Sequence, residues 1–191
     1  MGRFKNVLNF MKEILCVLLL LISLTSFSQE LQSPDRILTY GFPYDTQRKA
    51  IKFVGKKWGI ELYTVADCVV SRKLIDSVET IHTKLWKKMD SIHGVDSEKR
   101  FRNEVIAEMK KIEEVNKIFE RDRNIKKLLR KIERAKRQAS PNLEDVSDDG
   151  NIYYWTVNSF EINYSSEFKW KPEFMVRINL AERKTEIIEA E

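Results

Sequence analysis

The strongest helical signal in this chain lies at residues 71–94, and it fixes what the other segments must supply. At 100° per residue, Leu74, Ile75, Val78, Ile81, Leu85, Trp86, Met89 and Ile92 fall on one side of a cylinder. Lys73, Asp76, Lys84, Lys87 and Asp90 lie off that stripe. Ser71 can cap the amino end, and Gly94 can take the left-handed conformation that stops a helix. An apolar side this long has to be covered, so the chain must provide further elements around it. The pattern names neither a reaction nor a ligand.

Residues 1–28 read as a secretory signal peptide rather than as part of the fold. Arg3, Lys5 and Lys12 precede an apolar run at 14–24, and small residues close the segment, with cleavage expected after Ser28. A membrane anchor is the competing reading. A span needs about 20 apolar residues, and Lys12-Glu13 interrupts this one, so no stable span is expected after cleavage. The expected location is periplasmic or extracellular. Residues 29–191 are then the size of one domain, and losing 1–28 lowers the formal charge from +5 to +3. That is too near balance to imply nucleic acid or an anionic membrane as a partner. Cys68 is the one cysteine left, so no internal disulfide framework is available and stability must come from packing.

Residues 29–44 carry Pro34, Gly41 and Pro43 and read as an extended arm. Residues 45–58 read as a short helix with Asp45 as cap and Gly59 as stop, although Gly55 weakens it. Residues 60–70 alternate like a strand and put Cys68 on its more apolar face. Residues 97–139 contain no Gly or Pro, but their apolar stripe changes side. Phe101, Val105, Met109, Ile112, Val115 and Phe119 share one angle; Ile118, Ile125, Leu128, Leu129, Ile132 and Ala135 share another, about half a turn away. One long helix with two different partners is the preferred reading, and a pair of helices capped by Asp122 or Asn124 is the alternative. The part from 45 to 139 is thus mainly helical.

Residues 141–150 are polar and read as a loop, and 151–191 read as the β part of the domain. The inward parity of 152–164 changes at Asn158-Ser159, which suggests a bulge. Residues 174–180 alternate cleanly, and 185–190 can return as a hairpin partner. Phe168 and Trp170 fall in the connection before Pro172. The fold expected is α+β, a C-terminal antiparallel sheet packed on a central amphipathic helix, with the 71–94 helix in that role. An NTF2- or cystatin-like arrangement would satisfy it, by analogy that transfers no function.

Val54-Gly55-Lys56-Lys57-Trp58-Gly59-Ile60, followed by Asp67-Cys68, resembles the signature of the secreted FEKKY-domain proteins of Bacteroidetes. Lys56, Lys57 and aromatic Trp58 fit that signature, whereas Val54 and Gly55 replace its Phe and Glu. The resemblance covers about fifteen residues and implies export but no activity.

Chemistry-bearing groups are sparse. His82 and His93 lie about 16 Å apart along one helix, too far to share a metal ion, and read as boundary histidines. No metal or cofactor motif is present, and none of the common nucleophile or phosphate-binding motifs appears. Cys68 is the one weak catalytic candidate, because a thiol near a helix start can ionise; a buried, inert cysteine is the plainer reading. The basic run 121–137 holds nine basic residues and two acids, and reads as a solvated flank partly neutralised by the acidic 141–191 segment. Ile125, Leu129 and Ile132 on that run, and Trp155 and Trp170 on the sheet, are the candidate binding residues. The function expected is a non-enzymatic binding or interaction domain, with another envelope protein as partner. A thiol-dependent redox protein or enzyme using Cys68 is the alternative.

Overall fold

The computed structural model describes residues 35–41, 43–66, 69–161 and 170–189. Residues 1–28, Cys68, Ile162, Tyr164 and Phe168 lie outside them. In chain order the elements are β1 (Asp35–Tyr40), α1 (Asp45–Trp58), β2 (Ile60–Ala66), α2 (Arg72–His93), α3 (Ser97–Arg121) and α4 (Arg123–Arg134). Four strands follow: β3 (Arg137–Val146), β4 (Ile152–Glu161), β5 (Trp170–Asn179) and β6 (Lys184–Glu189). The last four pair in chain order as one antiparallel sheet, and β1 and β2 form a separate parallel pair. The fold is α+β with a C-terminal antiparallel sheet. Among the described residues, no helix is long and apolar enough to cross a membrane.

Part of the expected arm is therefore a strand. Asp35 to Thr39 pair with Ile60 to Thr64, and α1 is the crossover that parallel strands require. Asp45, expected as a cap, is the first residue of α1, where its carboxylate meets Arg48 at 2.8 Å and Lys49 at 2.7 Å. Gly59 ends the helix at φ 67°, donating its N–H to the Gly55 carbonyl. Gly55 stays helical because β2 starts so close that a Cβ there would collide with the carbonyl oxygen of Ile60. The close approach outweighs the weak helix propensity of glycine. Gly55→Ala, which in an open helix would stabilise by about 0.5–1 kcal/mol, should here lower stability by about 1–3 kcal/mol through overpacking. Denaturant unfolding of the variant reads the sign directly.

α2 begins as expected, the Ser71 hydroxyl accepting from the Leu74 N–H at 3.3 Å, and it stops at Gly94, whose φ of 87° and ψ of 170° are open to glycine but are not the expected left-handed helical conformation. Val78, Leu85 and Met89 are buried, but Ile75, Ile81 and Ile92 are exposed. This helix lies against α3 and β1. The helix on the sheet is α3, not the expected 71–94 helix. Its ridge of Phe101, Val105, Ile112, Val115 and Phe119 is buried throughout. Phe119 stacks on Trp155 of β4 at 4.4 Å between ring centroids, and Phe101 meets Trp58 of α1 and Trp86 of α2. At the α2–α3 turn, the Asp90 carboxylate accepts from the N–H and the hydroxyl of buried Ser97, at 3.0 and 2.6 Å. These bonds hold its pKa below the usual carboxylate range.

The preferred single long helix over 97–139 is instead two helices followed by the start of β3. The break needs no glycine or proline, because Asp122 takes an extended conformation and its carboxylate caps α4, accepting from Asn124 N–H at 2.8 Å and Ile125 N–H at 3.0 Å. The Thr185 hydroxyl of β6 also donates to it. Burial pulls the Asp122 pKa up, but the bonds from Thr185, Ile125 and Asn124 outweigh it and the net shift is downward. A depressed carboxylate stabilises the fold above its unfolded pKa of about 3.9, and that contribution is lost as pH falls through the lower folded value. Asp122→Ala should cost about 1–2 kcal/mol, measured by denaturant unfolding at neutral pH, and the difference from wild type should shrink in acid.

Residues 141–146, expected as loop, belong to β3. Its polar composition suits an edge strand: only Leu143 and Val146 are buried, and Pro141 is tolerated where one side of the ladder is open. The turn at 147–150 follows. A bulge lies at the expected level of the sheet but on the other strand, since Val157 pairs with Phe174 and Asn158 with Pro172. The extra residue is Glu173 on β5, and the inward parity of β4 continues through buried Ser159 instead of switching to Phe160. Glu173 thereby meets the Ser159 hydroxyl at 2.7 Å, and Arg137 donates to both. The opposite end of the sheet is tied to the helices by lysines. Lys52 donates to the Glu144 carbonyl at 3.1 Å, Lys56 pairs with Asp145 at 3.3 Å, and Lys111 donates to the Gly150 carbonyl at 3.3 Å.

Candidate functional site

A cleft of about 550 Å³ opens between β1, α1, α2 and α3. Its walls are mostly apolar, with Ile37, Ile51, Leu62, Trp86, Val105 and Ile106 among them. The polar groups are few: Tyr40 and Thr39 from β1, Gln47 from α1, His82 from α2 and Arg102 from α3. An apolar hollow with a small number of placed polar groups is the usual form of a small-molecule site.

The local sequence explains each placement. β1 pairs with β2 on one side, so its other edge presents backbone groups to α2. There Leu38 donates its N–H to His82 Nε2 at 2.9 Å. Lys88, farther along α2, pairs with Asp35 at 2.7 Å. These two contacts set the spacing of β1 and α2. Tyr40 follows, its hydroxyl oxygen buried and without a hydrogen-bond partner among the described residues. Burial raises its pKa, and the carboxylates of Glu79 and Asp76 raise it further. Arg102 stands at the rim, held by Glu98 at 2.6 Å. Ile106 is exposed at the mouth.

His82 is half-buried. Burial depresses its pKa; Glu98 opposes that shift and Arg102 adds to it. With the Nε2 lone pair occupied by Leu38, the ring is neutral and is no free base. Protonation turns that acceptor into a donor and breaks the bond. A depressed imidazole binds protons more readily in the unfolded chain, so the folded state is favoured above about pH 6.5 and penalised as pH falls from there through the folded pKa. Unfolding free energy should therefore drop between about pH 8 and about pH 5. In His82→Gln, which keeps an acceptor but does not titrate, that drop should be smaller, as denaturant unfolding at the two pH values measures.

Among the described residues, two other clusters combine titratable groups inside the protein, and both are closed. Tyr153 donates to Glu108 Oε1 at 2.7 Å, with Lys111 at 3.8 Å from the other oxygen. Burial, reinforced by Glu108, pushes the Tyr153 pKa up. The second cluster is Arg137, Ser159 and Glu173. Both tie core elements together. Among the described residues, no group of three His, Cys, Asp or Glu side chains could hold a metal ion.

The sequence-derived candidates do not converge on one place. Ile125 and Ile132 are buried, Leu129 is half-buried, and all three face the core from α4, so they form no outward apolar surface. Trp155 is also buried, stacked on Phe119 with the Lys49 ammonium 5.6 Å from its ring centroid. Trp170 is exposed at the start of β5, its ring 4.9 Å from that of Phe160. Cys68 lies outside the described residues. His93 packs on Trp58 at 4.5 Å between centroids. The cleft was not legible in the sequence, because its walls come from five elements spread over 37–109. The one available signal was His82, set at the border of the α2 stripe.

The chain matches no family model, no curated protein sequence and no solved structure.

Proposed function

We propose that this is an exported, non-enzymatic binding domain whose cleft between β1, α1, α2 and α3 takes a small, largely apolar molecule. The observation that carries this reading is the cleft itself, a hollow of about 550 Å³ walled by Ile37, Ile51, Leu62, Trp86, Val105 and Ile106 with a few placed polar groups. The lone pair of His82 is already used in holding β1, which leaves the cleft suited to recognition rather than proton transfer. Export rests on the basic head, apolar middle and small-residue end of residues 1–28.

The test is titration with an apolar fluorescent dye, followed by amide chemical-shift mapping. Saturable binding is expected, with shifts at Leu38, Thr39, His82 and Ile106. Ile106→Glu, which places a charge at the mouth, should weaken the dye by tenfold or more, on the order of one lost apolar contact plus desolvation. Binding that maps around Trp170 instead, or no saturable binding, overturns the cleft as the site.

A further inference from the structure

The outer face of α4 carries a second, separate surface. Arg123, Lys126, Lys127, Arg130, Lys131 and Arg134 recur at the spacing of one helix side, and all six are exposed. On a 100° wheel they cover an arc of about 140° directly opposite buried Ile125 and Ile132. The row is about 18 Å long. Among the described residues none of the six has an ion-pair partner. Of the acids expected to neutralise them, Asp145 pairs with Lys56, Glu173 with Arg137 and Glu186 with Arg177. Glu133 is the one acid within the helix, and it sits at the margin of the arc.

We propose that this face docks on the anionic lipid headgroups of a membrane surface. A straight, unneutralised row of cations on a rigid, packed helix complements a plane of phosphates. Each Lys or Arg near such a surface adds an increment that falls off within a Debye length. The row holds no aromatic side chain to stack on bases, which disfavours single-stranded nucleic acid. The apolar side of α4 is consumed by the core, so the helix cannot insert its greasy face as a free amphipathic helix does. Attachment is therefore peripheral and reversible by salt. This surface shares no residue with the cleft, and the two proposals stand or fall separately.

The experiment is co-sedimentation of the protein with phosphatidylcholine vesicles, with and without phosphatidylglycerol. Binding to the anionic vesicles only is expected at about 0.1 M salt, and release at about 1 M, where the Debye length shrinks to ~3 Å. Charge reversal at three outward positions (Lys127→Glu, Arg130→Glu, Arg134→Glu) should lower the partition coefficient on the order of 100-fold. The corresponding triple glutamine variant, which adds no repulsion, should lower it less and in the same direction. The proposal is overturned by equal binding to neutral vesicles, by no vesicle binding, or by triple variants that bind like wild type. Retention on heparin or DNA without vesicle binding also overturns it, and assigns the row to a soluble polyanion.

Discussion

The fold depends on one buried ridge, that of α3. Phe101, Val105, Ile112, Val115 and Phe119 run along it, each nearly excluded from water. Burying large apolar side chains of this kind contributes about 1.5–3 kcal/mol apiece. The ridge is covered from two directions. α1 and α2 close over its amino-terminal half through Trp58 and Trp86, and the sheet closes over its carboxy-terminal half through Trp155. The helix is thus shared between the β1–α1–β2 unit and the antiparallel sheet.

What the sequence made visible was local. The Ser71 cap and the Gly94 stop of α2 depend on a few neighbouring residues, and both are where composition places them. The β5–β6 hairpin announced itself by alternation, and its strands pair from Asn179 with Lys184 outward. Which ridge meets the sheet was not visible, because α2 and α3 have similar stripes and the choice is made by distant partners. The edge strand β3 was hidden for another reason. An edge needs to bury only one face, so Pro141, Asn142 and Asp145 look like a loop. The break at Asp122 was legible only as an alternative, because a carboxylate cap in an extended residue replaces the glycine or proline that usually marks such a turn.

The candidate site was less legible than the fold. Aromatic and branched residues that look like binding groups in a list, such as Trp155 and Ile125, are the ones a core most readily uses. The cleft is built instead from what the core leaves over: a β1 edge, a half-buried histidine and the exposed flank of a helix. The six cations of α4 were legible as a charge run, but that none of them is ion-paired among the described residues is visible only in the structure, where tail acids such as Glu173 and Glu186 pair with other arginines.

The antiparallel sheet is fastened differently at its two extremities. At one, Arg137, Ser159 and Glu173 bridge three strands in an enclosed triangle, with Arg137 and Glu173 side chains each only 16% exposed. At the other, the β3–β4 turn hangs from lysines, and the Lys56–Asp145 pair is at least half exposed on both sides. Electrolyte reaches the second fastening and not the first. A rise in ionic strength would therefore slacken the turn while the far corner keeps its shape, giving the ribbon a stiff end and a loose one.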